Sequence, residues 1–250
     1  MEAQEYRTLF EFEEWYWWYR SLHALLLDVL RQHGARAGWR VLDAGCGTGQ
    51  NLANIARRIT PRAFGVDLSP EVLQYWPKRA LHRVCLGSVN ELPFADGCFD
   101  AVLCVDVLEC AEVATEEAIG ELWRVVRPGG MILVVVPAHQ WLLTEGHHRA
   151  VHATRRYSRR SLRILLESRP FDLVRLTYVF AATFPMIAGY RLALRVLRRS
   201  RGEPARSELR PLPWALNELL SRIMGIERRL LRLGDMPFGS SVLAVARRRA

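Results

Sequence analysis

The fold of this chain is decided by residues 40–51, Arg-Val-Leu-Asp-Ala-Gly-Cys-Gly-Thr-Gly-Gln-Asn. Residues 40–42 predict a short buried strand, Asp43 follows at its carboxyl end, and residues 52–59 predict a helix. Three glycines alternate in the intervening loop: Gly45, Gly47 and Gly49. Glycine tolerates positive φ angles and lets a ligand lie directly on the backbone. The stretch therefore predicts a loop that binds a nucleoside cofactor.

The spacing of these glycines differs from that of a dinucleotide-binding loop. That fingerprint is G-x-G-x-x-G, with a pyrophosphate at the helix N-terminus, whereas residues 43–49 follow Asp-x-Gly-x-Gly-x-Gly. Asp43 stands where a carboxylate can accept hydrogen bonds from a cationic amino group or a ribose. The stretch resembles the cofactor loop of class I S-adenosylmethionine (SAM) methyltransferases, and this resemblance implies SAM as the cofactor.

A second acid strengthens the resemblance. Residues 63–66 predict a second strand that ends at Asp67, followed by a helix that begins after Ser69 and continues to Trp76. Asp67 lies where a βαβ unit brings its second strand tip against the ribose hydroxyls. A carboxylate can accept hydrogen bonds from both vicinal hydroxyls, which explains why an acid is favoured there.

The following segments extend the resemblance to about residues 15–137. Residues 82–86 predict a third strand, after which Ser88 takes the place of the acid that in the family meets the adenine amino group. Residues 99–105 form a continuous apolar run of the buried parallel type. The next five residues, 106–110, resemble the family segment beneath the sulfur and adenine of the cofactor, with Cys110 where many relatives have histidine.

The N-terminal region, residues 1–38, is predicted to be helical and contains an aromatic cluster at residues 15–20, Trp-Tyr-Trp-Trp-Tyr-Arg. One helix face cannot bury all of these rings. We expect some of them to pack on the sheet and others to cover a ligand. The Trp-Trp-Tyr-Arg string resembles the N-terminal lid of a subgroup of these methyltransferases.

The residues expected to contact the cofactor come from this lid and from the ends of the first four strands. They are Trp18, Arg20, Asp43, Gly45, Cys46, Gly47, Gly49, Asn51, Asp67, Leu68, Ser88, Val89, Asp106 and Val107.

Four of the seven histidines lie between residues 139 and 152, namely His139, His147, His148 and His152. We predict no metal site, because no cysteine or carboxylate set completes a tetrahedral zinc site with them. A subfamily of these methyltransferases has a later histidine and an Arg-Arg-Tyr-Ser string here, which this chain keeps as His152 and residues 155–158. His152 and Tyr157 are therefore the catalytic candidates. Displacement at a sulfonium methyl needs a held geometry more than an acid or a base.

The C-terminal region adds helices between two predicted strands, residues 171–179 and 241–246. Residues 186–199 and 214–233 predict the helices, and residues 180–239 contain eleven arginines against five acids. Basic amphipathic helices can lie on an anionic membrane or form the wall of an apolar pocket. The alternative is a solvated face on helices packed against the domain. From the basic amphipathic helices we expect peripheral membrane contact through residues 186–233.

The predicted fold class is α/β, a seven-stranded, mostly parallel, doubly wound sheet of the class I methyltransferase, Rossmann-like type, with the last strand antiparallel. An N-terminal helical lid is expected at residues 1–38 and a SAM-binding Rossmann-like core at residues 39–179. Residues 180–239 would form a helical insertion that covers the substrate, and residues 240–250 the last strand of the core. Open α/β sheets bind ligands at the carboxyl ends of their strands.

Composition favours a cytoplasmic protein with no nucleic-acid partner. The formal net charge of +9 comes almost wholly from arginine, since Lys78 is the sole lysine, and such usage indicates compositional bias. Five cysteines without a C-x-x-C pair fit a reducing cytosol. The N-terminal residues lack the features of a signal peptide, and the uncharged stretch at residues 176–190 is too short to span a membrane. The oligomeric state stays undetermined.

The function expected from the resemblance is methyl transfer from SAM to a small-molecule or lipid-like acceptor. A nicotinamide dehydrogenase is disfavoured by the glycine spacing and Asp43. A nucleic-acid methyltransferase is disfavoured because no Asn/Asp-Pro-Pro-Tyr motif follows the fourth strand. A non-catalytic SAM-binding or scaffold protein stays open, because Ser88 and Cys110 replace the usual residues.

Overall fold

A computed structural model describes residues 3–143, 152–197 and 211–249 of the chain. The strands are β1 (Val41–Ala44), β2 (Ala63–Asp67), β3 (Val84–Leu86), β4 (Phe99–Val105), β5 (Val126–Pro137), β6 (Phe171–Val179) and β7 (Ser241–Arg248). The α-helices within the described ranges are α1 (Ala3–Phe12), α2 (Trp17–Gln32), α3 (Gln50–Arg58), α4 (Thr115–Val125), α5 (Arg159–Glu167), α6 (Phe184–Leu197) and α7 (Trp214–Leu230).

The strands form one sheet in the order β3-β2-β1-β4-β5-β7-β6. The first five strands are parallel to their neighbours, and β7 lies antiparallel between β5 and β6. Because β6 runs in the same direction as β5, the carboxyl ends of six strands share one edge of the sheet. The predicted seven-stranded, mostly parallel sheet with an antiparallel last strand is confirmed.

The central strands are apolar on both faces because helices cover both sides of the sheet. Successive strand side chains point to opposite faces, so Val102 of β4 packs with α4 and α5 while its neighbour Leu103 packs with α2, α3 and α7. Both residues are fully buried. This explains why β4 and β5 are continuous apolar runs and not alternating ones.

Two local expectations are wrong in detail. Asp43 lies within β1 and does not follow it. The single helix expected after Ser69 is two short 3₁₀ helices, Pro70–Gln74 and Pro77–Arg79. The cap itself is present, because the Ser69 hydroxyl accepts a hydrogen bond from the Glu71 N–H. Trp76 keeps right-handed helical angles, but Pro77 has no N–H with which to continue the hydrogen-bond ladder, and it occupies the first turn of the second short helix.

The predicted N-terminal helical region consists of two helices with a break at residues 13–16. Helix α2 begins without a side-chain cap of its own. A residue from α7 replaces that cap, since Asn217 Oδ1 accepts a hydrogen bond of 2.8 Å from the Trp17 N–H. The Asn217 amide also donates to the Trp15 carbonyl at 3.0 Å. Two segments far apart in the sequence are thus joined at the start of α2.

Helices α2 and α7 run side by side in the same direction. Asn217 meets the start of α2, while Arg228 and Arg232 both form ion pairs with Asp28 near its end. Within the described ranges, none of the helices has the length and apolar composition needed to cross a bilayer.

We predict that Asn217→Ala lowers the free energy of unfolding by about 2–3 kcal/mol, because it leaves the buried Trp17 N–H without a partner. Chemical denaturation followed by tryptophan fluorescence measures the change. The control is Asn54→Ala, whose side chain only meets the exposed Arg57 guanidinium and should cost less than about 0.5 kcal/mol. Equal losses in the two variants would contradict the capping role.

Candidate functional site

The glycine loop joins the tips of β1 and β2. The N–H groups of Gly45 and Cys46 both donate to the Val66 carbonyl, at 2.8 and 3.0 Å. Gly45, Gly47 and Gly49 have φ angles of +85°, +53° and +91°, a region that side chains with a Cβ rarely adopt. Gly49 begins α3 in this left-handed conformation. The loop therefore presents bare backbone at the carboxyl edge of the sheet.

Asp67 at the tip of β2 is held by the loop. One carboxylate oxygen accepts the Gly47 N–H at 2.8 Å, and the other accepts the Ser69 N–H at 3.0 Å. Burial raises the pKa of Asp67, and these two hydrogen bonds oppose the increase. Because a carboxylate has about four acceptor positions, two remain for hydroxyl donors.

Asp43 is buried beneath the loop. Burial raises the pKa of its carboxyl to about 7, although the Asn51 amide donates to it at 3.0 Å. The Asn51 amide oxygen is buried and has no hydrogen-bond partner among the described residues. A carboxyl of this kind gains most from a nearby cation, which favours its charged form.

The end of β4 closes the site from the other side. Val107 lies directly over Gly45, so that a Cβ at Gly45 would overlap the valine methyl groups. Asp106 has a φ angle of +52°, an uncommon conformation for a residue other than glycine. Burial raises the pKa of Asp106 to about 7, and Arg156 opposes that increase.

Aromatic side chains from α2 lie over this end of β4. Asp106 contributes to a raised pKa of Tyr19, whose main cause is burial, so the two groups are close. Trp18 stacks on Phe180, with ring centroids 5.5 Å apart. Tyr16 and Trp17 belong to the buried cluster on the α2 face of the sheet, and Trp18 and Tyr19 pack against the same cluster. The expected division of the aromatic residues between core and ligand stays a prediction.

Helix α1 packs on the glycine loop, a contact that the sequence did not indicate. Leu9 lies 3.5 Å from the position of a Cβ on Gly47. Tyr6 is buried in a cluster with Cys46 and Trp76, and the Trp76 indole N–H donates to the Gly47 carbonyl at 2.9 Å. The first helix thus covers the backbone that a cofactor would touch.

A buried ion pair fixes the junction of α1 and α2 to the same loop. The Arg79 guanidinium lies 2.6 Å from Glu13 and donates to the Thr48 carbonyl at 3.1 Å. The Thr48 hydroxyl also bonds to Glu13. Burial raises the pKa of Glu13 to about 7 in spite of Arg79. The acidic character of residues 2–14 was the sole sequence signal for this network.

The segment after β3 lies beside Asp67. The Gly87 N–H donates to the Asp67 carbonyl at 2.9 Å, and the Ser88 hydroxyl accepts the Asn90 N–H at 3.1 Å within a turn. Val89 is buried, whereas Leu68 is 57% exposed.

The remaining candidates lie farther along the chain or face other elements. Arg20 forms an ion pair of 3.2 Å with Glu218 on α7. His152 Nδ1 lies 2.7 Å from Glu112. The Tyr157 hydroxyl donates to the Leu108 carbonyl at 2.9 Å, and burial raises its pKa to about 12. His147 and His148, which were considered above as zinc ligands, lie outside the described residues.

Three strained positions follow strands that end at the carboxyl edge of the sheet. Asp106, His139 and Phe180 all have positive φ angles and come directly or almost directly after β4, β5 and β6. His139 stacks on Tyr178, with centroids 5.3 Å apart. Strained backbone concentrates at functional sites, so this edge is the candidate region for a second ligand beside the glycine loop.

Comparison with known proteins agrees with this geometry. A family model described as a methyltransferase domain matches residues 42–134. The chain is similar to a malonyl-[acyl-carrier protein] O-methyltransferase of Pectobacterium atrosepticum, at 37% identity over 99 residues, which cover 39% of this chain and 38% of that protein. It is also similar to a ubiquinone/menaquinone biosynthesis C-methyltransferase of Pseudomonas putida, at 35% identity over 113 residues, covering 41% and 43%.

Among solved structures, the fold resembles a geranyl diphosphate C-methyltransferase from Streptomyces coelicolor, with a TM-score of 0.57 and 18% identity. That match covers 90% of this chain and 80% of the other. The chain spans less than half the length of the curated relatives it matches. The family-model match, residues 42–134, falls on the part that carries the glycine loop, Asp67 and Asp106.

We predict that Gly45→Ala destabilises the protein by about 2–4 kcal/mol, through the unfavourable positive φ angle and overlap with Val107. Urea denaturation measures the loss. The control Gly38→Ala, which has open space around the added methyl, should stay within about 1 kcal/mol of the parent protein. Combining Gly45→Ala with Val107→Ala should cost less than the sum of the single changes. Strict additivity would show that the valine does not limit the loop.

Proposed function

We propose that this chain, whose residues 42–134 match a family model described as a methyltransferase domain, is a class I SAM-dependent methyltransferase that transfers a methyl group from SAM to a small-molecule or lipid-like acceptor. The observation that carries this proposal is the bare glycine loop held against the Asp67 carboxylate by the Gly47 N–H. A nucleoside lying on that loop would bring its ribose hydroxyls to the free acceptor positions of Asp67.

The residues around the loop fit SAM. Asp43 is a buried carboxyl suited to a cationic amino group, and the unpartnered Asn51 oxygen beside it can accept another hydrogen bond. When bound, SAM supplies a methyl group already activated by its sulfonium.

The remaining proposed contacts follow from the positions of the strand ends. Asp67 and Leu68 would meet the ribose, and Ser88 and Val89 the adenine. The other proposed contacts are Gly45, Cys46, Gly47, Gly49, Asp106 and Val107 from the loop and the end of β4, with Trp18 and Arg20 from the lid.

The protein's main catalytic task would be to hold cofactor and acceptor in line, because orientation alone can supply much of the rate enhancement of such a displacement. Of the two catalytic candidates, Tyr157 has its hydroxyl engaged by the Leu108 carbonyl, which favours a positioning role. His152 can remove a proton from an acceptor only if its loop approaches the site. Glu112 would then orient the imidazole.

The nature of the acceptor is inferred from the relatives and from the site walls. One relative named above is a malonyl-[acyl-carrier protein] O-methyltransferase and another is a C-methyltransferase of ubiquinone/menaquinone biosynthesis. Trp18, which is held by stacking on the buried Phe180, offers an apolar wall. Residues 1–38 would act as the lid of the 39–179 core, and residues 180–239 as the acceptor cover preceding the last strand, 240–250. We propose a cytoplasmic protein with peripheral membrane contact through residues 186–233.

A non-catalytic SAM-binding protein is the second candidate. Burial and neighbouring carboxyls raise the pKa of Cys110 to about 12, so the thiol that replaces the family's usual histidine cannot act as a base near neutral pH. Binding of SAM without methyl transfer to any component of a cell extract would favour this alternative.

We predict that SAM and its demethylated product bind in isothermal titration calorimetry and that NAD does not. Asp67→Ala should weaken SAM binding at least about tenfold, because it removes the ribose acceptor and releases the Gly47 N–H. The control Asp172→Ala removes an exposed acid on β6 and should leave affinity unchanged. Binding of NAD alone would refute the proposed cofactor.

We also predict that SAM affinity increases as the pH rises through about 7, because a bound cation favours the charged form of Asp43. In the free protein, the stability that Asp43 contributes changes with pH in the opposite direction. A carboxyl pKa raised from 3.8 to about 7 contributes stability at low pH that is lost as the pH rises through the folded-state value. Asp43→Asn should flatten the pH profiles of both SAM affinity and stability. For the parent protein, calorimetry in buffers of different ionisation enthalpy should detect the proton that Asp43 releases when SAM binds. Identical profiles for the variant would contradict the role of Asp43.

A further inference from the structure

Helix α7 carries apolar side chains on two of its faces. The first face, which includes Leu220, Met224 and Leu231, is buried in the α2 side of the core. The second face we call the α7 stripe, and it consists of Leu216, Leu219, Ile223, Ile226, Leu230 and Leu233. The stripe positions alternate in steps of three and four residues, so they form one line along the helix and the turn that follows it.

The stripe is open to solvent. Leu219, Ile226 and Leu230 are 54%, 58% and 50% exposed, and Leu233 is 86% exposed. At its N-terminal end Trp214 is 78% exposed. Single exposed apolar residues need no explanation, but a continuous line of about 25 Å indicates an interaction surface.

The flank of the stripe is basic. Arg222 and Arg229 lie beside it, one before each of Ile223 and Leu230. The Arg222 side chain is 76% exposed and lies 3.6 Å from Glu218. Arg229 is exposed and forms no ion pair within the described residues. Glu227 is buried and accepts the Ala182 N–H, so its carboxylate faces the protein and away from the stripe.

This charge pattern decides whether a second copy of the chain or a lipid surface fits the α7 stripe. A second copy of α7 packed on the stripe would bring Arg222 and Arg229 of both copies together against a single acid on each flank, Glu218, which is already paired with Arg20 and Arg222. The excess of like charge across such a seam is unfavourable. An anionic lipid surface offers acyl chains to the leucines and headgroups to the arginines, and tryptophan prefers the same interface. We propose that the α7 stripe docks the protein on an anionic lipid bilayer.

The docked orientation places the site near the lipid. Helix α7 runs alongside α2, so the Trp214 end of the stripe lies by the start of α2 at Trp17, one residue before Trp18, which stacks on Phe180. A lipid-like acceptor would thus reach the site from the membrane side. This route for the acceptor rests on the proposed methyl transfer, whereas the docking itself does not.

The test is co-sedimentation of the full chain, without SAM, with vesicles of phosphatidylcholine alone or mixed with phosphatidylglycerol. Binding is expected to the mixed vesicles. Ile226→Asp should weaken it at least about tenfold, since an apolar anchor is lost and a negative charge gained. The matched control is Ile164→Asp on α5, where the isoleucine is equally exposed at 61%, and it should bind like the parent. Arg229→Gln should weaken binding about fivefold, and only to the vesicles that contain phosphatidylglycerol.

Absence of binding, or equal loss in the two isoleucine variants, would overturn the proposal. Sedimentation equilibrium provides the other decisive result: a dimer that Ile226→Asp dissociates would assign the stripe to a second copy of the chain. Calorimetry with SAM in the absence of vesicles tests the proposed function separately. Failure of vesicle binding with intact SAM binding would therefore reject the docking and leave the methyl-transfer proposal standing.

Discussion

The carboxyl edge of the sheet depends on the carboxylate of Asp67. It accepts the N–H of Gly47 with one oxygen and the N–H of Ser69 with the other, and so it fixes the glycine loop to the tip of β2. Hydrogen bonds to an ionised acceptor are the stronger kind, and here they counter the cost of burying the charge. Together with the bonds of Gly45 and Cys46 to the Val66 carbonyl and of Trp76 to the Gly47 carbonyl, they hold three glycines with positive φ angles in one conformation.

Around this anchor, one edge collects several acids whose charged forms are disfavoured. Burial raises the pKa of Glu13, Asp43 and Asp106 to about 7. Arg79 and Arg156 compensate part of this cost for Glu13 and Asp106, whereas Asp43 has only the neutral Asn51 amide. The region therefore has an electrostatic preference for a ligand that carries positive charge near Asp43, which agrees with a sulfonium and amino-bearing cofactor.

The features that the sequence predicted are those set by local geometry. Glycine spacing and the apolar run of residues 99–105 determine the loop and β4, and parallel strands bring Asp43, Asp67 and Asp106 to one edge whatever the loops do. The contact of Leu9 with the loop and the Glu13–Arg79 pair could not be predicted, because they depend on how a separate helix docks. The same holds for Asn217, since nothing near position 217 indicates that it caps α2. Pro77 carried a local signal for the end of the helix at Trp76, but nothing nearby indicated that the segment would form two short 3₁₀ helices.

The insertion of β7 between β5 and β6 also governs the order in which the sheet can be completed during synthesis. Strand β6 leaves the ribosome well before residues 241–248 exist, and it has no other strand in the described sheet with which to pair. The Asn217 cap of α2 is similarly supplied about two hundred residues after the helix it completes. Such long-range pairings are slow to form, and exposed strand edges invite association with other chains. The nascent protein thus carries an uncapped helix until residue 217 is made and an open strand edge until residues 241–248 are made, so it needs protection during folding over that interval.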